Sequence, residues 1–294
     1  DITTKAGHLT LTCKHNTDGG LALAKAAGEK NVQNIQAKTV LNIEAKYITS
    51  VAHVTVVADT KNVQITAAGG GITTAQATVV AATSIDVTGV WIASSDIALT
   101  STTASITLQS DLKTAGATVL ADTAVTVVGA WEASSHIALT STTASITLNS
   151  DVITTVGHLT LTCKDSGLVL AKAPGGTPQN IQAKENLSID AKDITSKAAG
   201  VTATADTGTV TVTGAWAAAK QVAVTSLAKT VTLNSDITTK EGHLTVTCNH
   251  NENGGLRLAK VGKDIVQNIQ ANEDLSIDAK DITSAAGGTA TADT

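Results

Sequence analysis

The chain has no phenylalanine and no methionine, and only one tyrosine, Tyr47, and three tryptophans in 294 residues. A globule of that length normally fills its centre with aromatic rings. Their scarcity excludes a thick core. The 42% of apolar residues must build a thin one from Val, Ile, Leu and Ala. Proline occurs only as Pro174 and Pro178, and arginine only as Arg257. The net charge is -5, and no basic stripe is present, which excludes nucleic acid as an expected partner. No apolar run is long enough to cross a membrane as a helix. No signal peptide or initiating Met is visible, which suggests a mature segment or a piece of something longer.

What is present is repetition. "DITTKAGHLTLTC" starts at Asp1, "DVITTVGHLTLTC" at Asp151 and "DITTKEGHLTVTC" at Asp236. Each is followed by a second shared string: "NIQAKTVLNIEAKYITS" from Asn34, "NIQAKENLSIDAKDITS" from Asn180 and "NIQANEDLSIDAKDITS" from Asn268. A second module carries the tryptophans. Trp91 and Trp131 stand 40 residues apart, and a third copy holds Trp216. The modules run over 1–51, 52–111, 112–151, 152–196, 197–236 and 237–284, with a partial one over 285–294.

Inside each module the apolar period is two. Leu9, Leu11 and Cys13 share one face, against His8, Thr10 and Thr12. Val210 and Val212 oppose Thr209, Thr211 and Thr213. These are short strands, separated by turn clusters such as "HNTDGG", "NSD" and "PGGTP". No helical stripe is found. The expected fold is all-β: one continuous right-handed parallel β-solenoid of about 20 residues per coil, hence roughly 14 coils. Its interior should contain Leu9, Leu11, Cys13, Leu21, Leu23, Ile43, Val210 and Val212. The 40-residue module would be two coils. The 85 residues from His158 to His243 would be about four.

Six groups of residues invite a chemical reading. Cys13, Cys163 and Cys248 fall in phase with inward leucines, so they read as buried, reduced thiols. On this spacing no two are close enough for a disulfide. His8, His158 and His243 face outward. Cys13 with His15, and Cys248 with His250, resemble parts of a metal site, but Asp165 breaks the pattern in the middle copy, and a structural site needs three or four converging ligands. The "NTDGG" and "NENGG" turns lack the spaced carboxylates of a calcium loop. Trp91, Trp131 and Trp216 read as plugs at coil corners, with stacking platforms for sugars as the other possibility. The acids Asp86, Asp96, Asp111, Asp151, Asp190 and Asp193 are scattered, which argues against a polysaccharide-cleaving active site. Outward threonine rows raise ice binding, which requires Thr in register on consecutive coils, but Lys, Asp, Gln and Asn interrupt the rows and coil lengths vary. No catalytic residue, metal ligand or cofactor site is assigned.

"GHLTLTC", "GGLALAK", "NLSIDAKDITS" and "DITTKAGHLT" together resemble the repeats of filamentous-haemagglutinin-type, two-partner-secreted adhesins. Those repeats wind a right-handed β-helix. The cysteine ending each "LTLTC" or "LTVTC" departs from the family's small aliphatic residue. The resemblance implies a non-enzymatic stem in adhesion, extracellular or on the cell surface. Its partners would be its own neighbouring modules, like subunits end to end, or a surface glycan or host ligand. A self-assembling filament or sheath subunit is the alternative. An ice-binding protein or a polysaccharide-active β-helix enzyme comes after it.

Overall fold

A computed structural model describes residues 1–13, 19–23, 32–173, 177–197, 199–248, 254–260, 266–285 and 287–292. The regular structure among them is all strand, with no helix. Strands pair in parallel and stack as a β-solenoid. The chain forms two compact units. One is Asp1–Ser134 with Ala138–Thr143; the other is Ser135–Ile137 with Ala144–Thr294.

The first unit shows how a coil is made. Leu41–Ala58 is a single run of strand that turns two corners. Leu41, Ile43 and Ala45 face inward on its first side, Ile48 and Ser50 on its second, and Val54, Val56 and Ala58 on its third. The next coil, Val63–Ala81, pairs with all three sides, and the register shifts between Ala45 and Tyr47 and between Ser50 and His53. Those shifts are the corners, where extra residues on one coil, two at the first and one at the second, turn the chain. The coil after that is broken into three strands, Ile85–Thr88, Trp91–Ala93 and Ile97–Ser101, one on each side. Alternation keeps Val, Ile and Leu inside and Thr outside.

Coils are longer and fewer than the repeats suggest: about 11 turns of about 22 residues, against an expected 14 of 20. The tryptophan modules do behave as expected. Trp91 pairs with Leu112, and Leu112 with Trp131, giving coils of 21 and 19 residues. The other modules carry long turns. Leu9 pairs with Leu41, Leu159 with Leu187 and Leu244 with Leu275. A surface turn can lengthen without moving the walls it joins.

This unequal coil length moves the repeated strings to different sides. In the second unit, Leu161 is followed on its side by Ile189, Val212, Leu233 and Leu258. Val246, its repeat equivalent, stacks on Val224, Ala203 and Ile181, on another side. The 85-residue step is therefore not the four whole coils expected. It is three coils and a part. One string can serve two walls because each wall asks for the same thing: small aliphatics at alternate positions.

Of the expected interior, Leu23, Ile43, Val210 and Val212 are buried. Leu9, Leu11, Cys13 and Leu21 are only half-buried. Their strands, Leu9–Cys13 and Gly20–Leu23, have one described neighbour, the Leu41–Ala58 coil. One neighbouring layer cannot cover both flanks of a side chain.

Glycine is required two residues before two of the tryptophans. Gly89 has φ 116° and Gly214 has φ 113°, a region that L side chains rarely adopt. A Cβ would also lie 2.7 Å from the Ala67 carbonyl oxygen at Gly89, and inside normal contact with the Ala191 carbonyl oxygen at Gly214.

Candidate functional site: buried tryptophans, thiols and loop clasps

The tryptophans are inside. Trp91, Trp131 and Trp216 are 2%, 1% and 1% exposed. Within the first unit Trp91 lies between Ile72 and Leu112, and Leu112 pairs in turn with Trp131. In the second unit Trp216 lies between Ile194 and Ile237. A buried ring offers no face to a sugar, so the plug reading holds for all three.

Each indole also needs an acceptor. Trp91 Nε1 donates to Thr74 Oγ1 at 3.1 Å, and Trp131 Nε1 to Thr114 Oγ1 at 3.5 Å. In the third copy the equivalent position is Ser196. There Trp216 Nε1 and Ser196 Oγ are both buried and have no hydrogen-bond partner among the described residues. A serine hydroxyl turns freely, whereas the threonine methyl limits the rotamers. We expect Ser196→Thr to stabilise the second unit by about 0.5–1.5 kcal/mol, the net worth of one hydrogen bond. Thr74→Ser should have the opposite sign. Urea unfolding of both variants checks this; a loss of stability in Ser196→Thr would contradict it.

The cysteines divide. Cys163 and Cys248 are fully buried, and all three are free thiols. Burial pushes the Cys163 thiol up from 9.0 to about 11; a backbone hydrogen bond at Ile146 works against it, and the Asp190 charge adds to it. Burial also raises Cys248. Cys13 is half-buried, which corrects the expectation of three hidden thiols. Native protein should therefore react with a thiol reagent first at Cys13 and slowly at the other two. Simultaneous fast reaction of all three would contradict this. The raised value also has a consequence for stability. The folded state holds Cys163 neutral, so its contribution is complete below pH 9.0 and is lost as pH rises towards about 11.

His8, His158 and His243 are exposed, as expected. His158 Nε2 lies 3.1 Å from Glu185, and His243 Nε2 lies 3.3 Å from Glu273. Among the described residues no group of three or more His, Cys, Asp or Glu is placed to hold a metal ion. His15 and His250 lie outside the described residues, as do most of the "NTDGG" and "NENGG" turns. Several of the scattered acids hold turns. Asp111 accepts from the Ala130 N–H at 2.8 Å. Asp190 pairs with Lys164 at 3.1 Å.

One group was missed by sequence reasoning. Gln179 is 0% and Gln267 1% exposed, in phase with the inward Ile181 and Ile269. Gln179 Nε2 donates to the Leu148 and Ser150 carbonyls at 3.0 and 2.8 Å, and its Oε1 accepts from the Lys172 N–H. Lys172 Nζ reaches both oxygens of Asp151 at 2.9 Å, and Asp151 Oδ1 also accepts from the Asn180 N–H. Gln267, Lys260, Asp236 and Asn268 repeat every one of these bonds. Each set is a clasp. It ties the start of one coil to the ends of the long turn that follows it. Gln33, also buried, is the first-copy equivalent. The signal was available: "QNIQA" occurs in all three copies, with its first glutamine in the inward phase.

Comparison with protein-family models, with curated proteins and with solved structures gives no match.

Proposed function

We propose that this chain is a non-enzymatic structural element, the shaft of an extracellular or cell-surface adhesive stem. The observation that carries this reading is where the conspicuous residues lie. All three tryptophans, two of the three cysteines and the repeated glutamines are in the interior, where they hold coils together. The lysine–carboxylate pairs Lys172–Asp151 and Lys260–Asp236 close turns. The repeat resemblance to filamentous-haemagglutinin-type adhesins points the same way. A solenoid suits a stem because each coil needs only its neighbours, so duplication lengthens it without redesign. The second reading is a filament subunit.

Negative-stain microscopy of the purified chain separates the two. Short particles of one length that never join support the stem and exclude the filament. Uniform long fibres do the reverse. Hydrolysis or cleavage of a polysaccharide by the purified chain would overturn both.

A further inference from the structure

We propose that one side of the second unit is an ice-binding face. Along the sequence the threonine rows look interrupted, but the register of the coils aligns a set that the order of residues hides. The strands Gln179–Ala183, Gly200–Ala205, Gln221–Ser226, Leu244–Cys248 and Leu275–Asp278 are successive parallel partners on one side. Their outward residues form two files. One reads Asn180, Thr202, Ala223, Thr245, Ser276; the other reads Gln182, Thr204, Thr225, Thr247, Asp278. On the three middle coils five of the six positions are threonine, and none is charged. The exception, Ala223, borders a groove of about 360 Å³ lined also by Thr245 and Ser276, with His243 and Asp274 at the edge of the array.

Three properties suit this array to a periodic solid. The first is spacing. Neighbouring coils place equivalent threonines about 4.8 Å apart, and alternate residues along a strand lie about 6.6 Å apart. A regular two-dimensional array of hydroxyls at these spacings is a surface that can order water. The second is rigidity. Inward partners Val201, Ala203, Val222, Val224, Leu244 and Val246 are buried, so no strand can slip by one residue without exposing its core face. Threonine is also stiff at χ1, so hydroxyl and methyl positions are set before binding. The third is availability. Turn threonines elsewhere, such as Thr102, Thr103, Thr143 and Thr207, donate their hydroxyls to backbone carbonyls. Among the described residues no hydrogen bond engages the hydroxyls of Thr202, Thr204, Thr225, Thr245 and Thr247. Each can donate to and accept from water.

A single such bond is weak. Many made at once by a preorganised surface are not, because the ordering cost is already met. The neighbouring side lacks this regularity: Thr160 and Thr162 are followed by Ser188 and Asp190, then Thr211 and Thr213, then Thr232, which aligns with Arg257. A crystalline polysaccharide fits the face less well. Such ligands are held by outward aromatic rings, and Trp216, the only tryptophan in this unit, is buried.

The inference goes beyond the stem reading and is tested separately, on the full chain, by nanolitre osmometry and ice-crystal morphology. The unmodified chain should produce a freezing hysteresis and faceted crystals. Thr225→Tyr, at the centre of the face, should reduce the hysteresis severalfold. Ala217→Tyr, outward on a different side, should leave it unchanged. Circular dichroism and melting show whether both variants keep the fold; if Thr225→Tyr does not, Thr225→Ser, which removes only the methyl, takes its place and should still lower the hysteresis. Absence of hysteresis and of faceting in the folded, unmodified chain would overturn the proposal. So would equal losses in Thr225→Tyr and Ala217→Tyr. Neither result bears on the stem reading, which the microscopy decides.

Discussion

Trp91→Ala should destabilise the first unit by about 3–5 kcal/mol, the usual cost of removing a buried tryptophan side chain. The loss has two sources. Trp91 fills the width of the coil between Ile72 and Leu112. Its neighbourhood is already slightly underpacked, with an apolar void of about 20 Å³ lined by Ile72, Val79, Trp91 and their neighbours. A chain with no Phe and no Met has no adaptable side chain nearby to collapse into the hole. Thr74 would also lose its indole donor. Trp91→Phe should cost much less, since it keeps most of the ring volume. Amide hydrogen exchange is the better measurement, because stacked coils can open locally before the whole unfolds. Protection should fall first in Ile72–Thr74 and Leu112–Thr114. A Trp91→Ala variant with unchanged protection there would show that the ring is not a plug.

Gln179→Ala should cost about 2 kcal/mol, because it removes three hydrogen bonds made by one buried side chain at once. The Leu148 and Ser150 carbonyls lose a donor, and the Lys172 N–H loses its acceptor. Gln179→Leu restores volume but not the bonds, and should remain well below the parent. Gln179→Glu replaces the donating amide with a carboxylate, and should be worse than Gln179→Leu because it turns charge towards two carbonyl oxygens. Thermal melting ranks the three variants. If Gln179→Leu proves as stable as the parent, the clasp is ornamental and the aliphatic wall alone holds the turn.

Much of this was legible in the residues. "HLTLTC" and "TVTVTG" alternate with period two, and alternation across a thin aliphatic core leaves few folds other than a stacked parallel sheet. The placement of Trp91 and Trp131 two coils apart followed from their 40-residue spacing, since coils without long turns keep a near-constant length. Cys163 and Cys248 were legible as inward because they continue the phase of Leu161 and Val246. The clasps were harder. A glutamine at an inward position looks like a break in the pattern until its carbonyl partners are known, and those partners lie about thirty residues earlier in the chain.

The sequence by itself determined the local alternation and the chemistry of the walls, because these depend on neighbours a few residues apart. Only the tertiary structure decided which coil lies against which. Extra residues between shared strands, as between Leu170 and Gln179, change the length of a coil without changing its strands, so repeats of equal text fall on different sides. That shift places Cys163 and Cys248 on different walls. It also brings Thr202, Thr225 and Thr247, which are more than twenty residues apart in the chain, onto three adjoining strands of one face. The register that aligns them is set by stacking of the buried Val and Ala beneath, and no run of sequence contains that information.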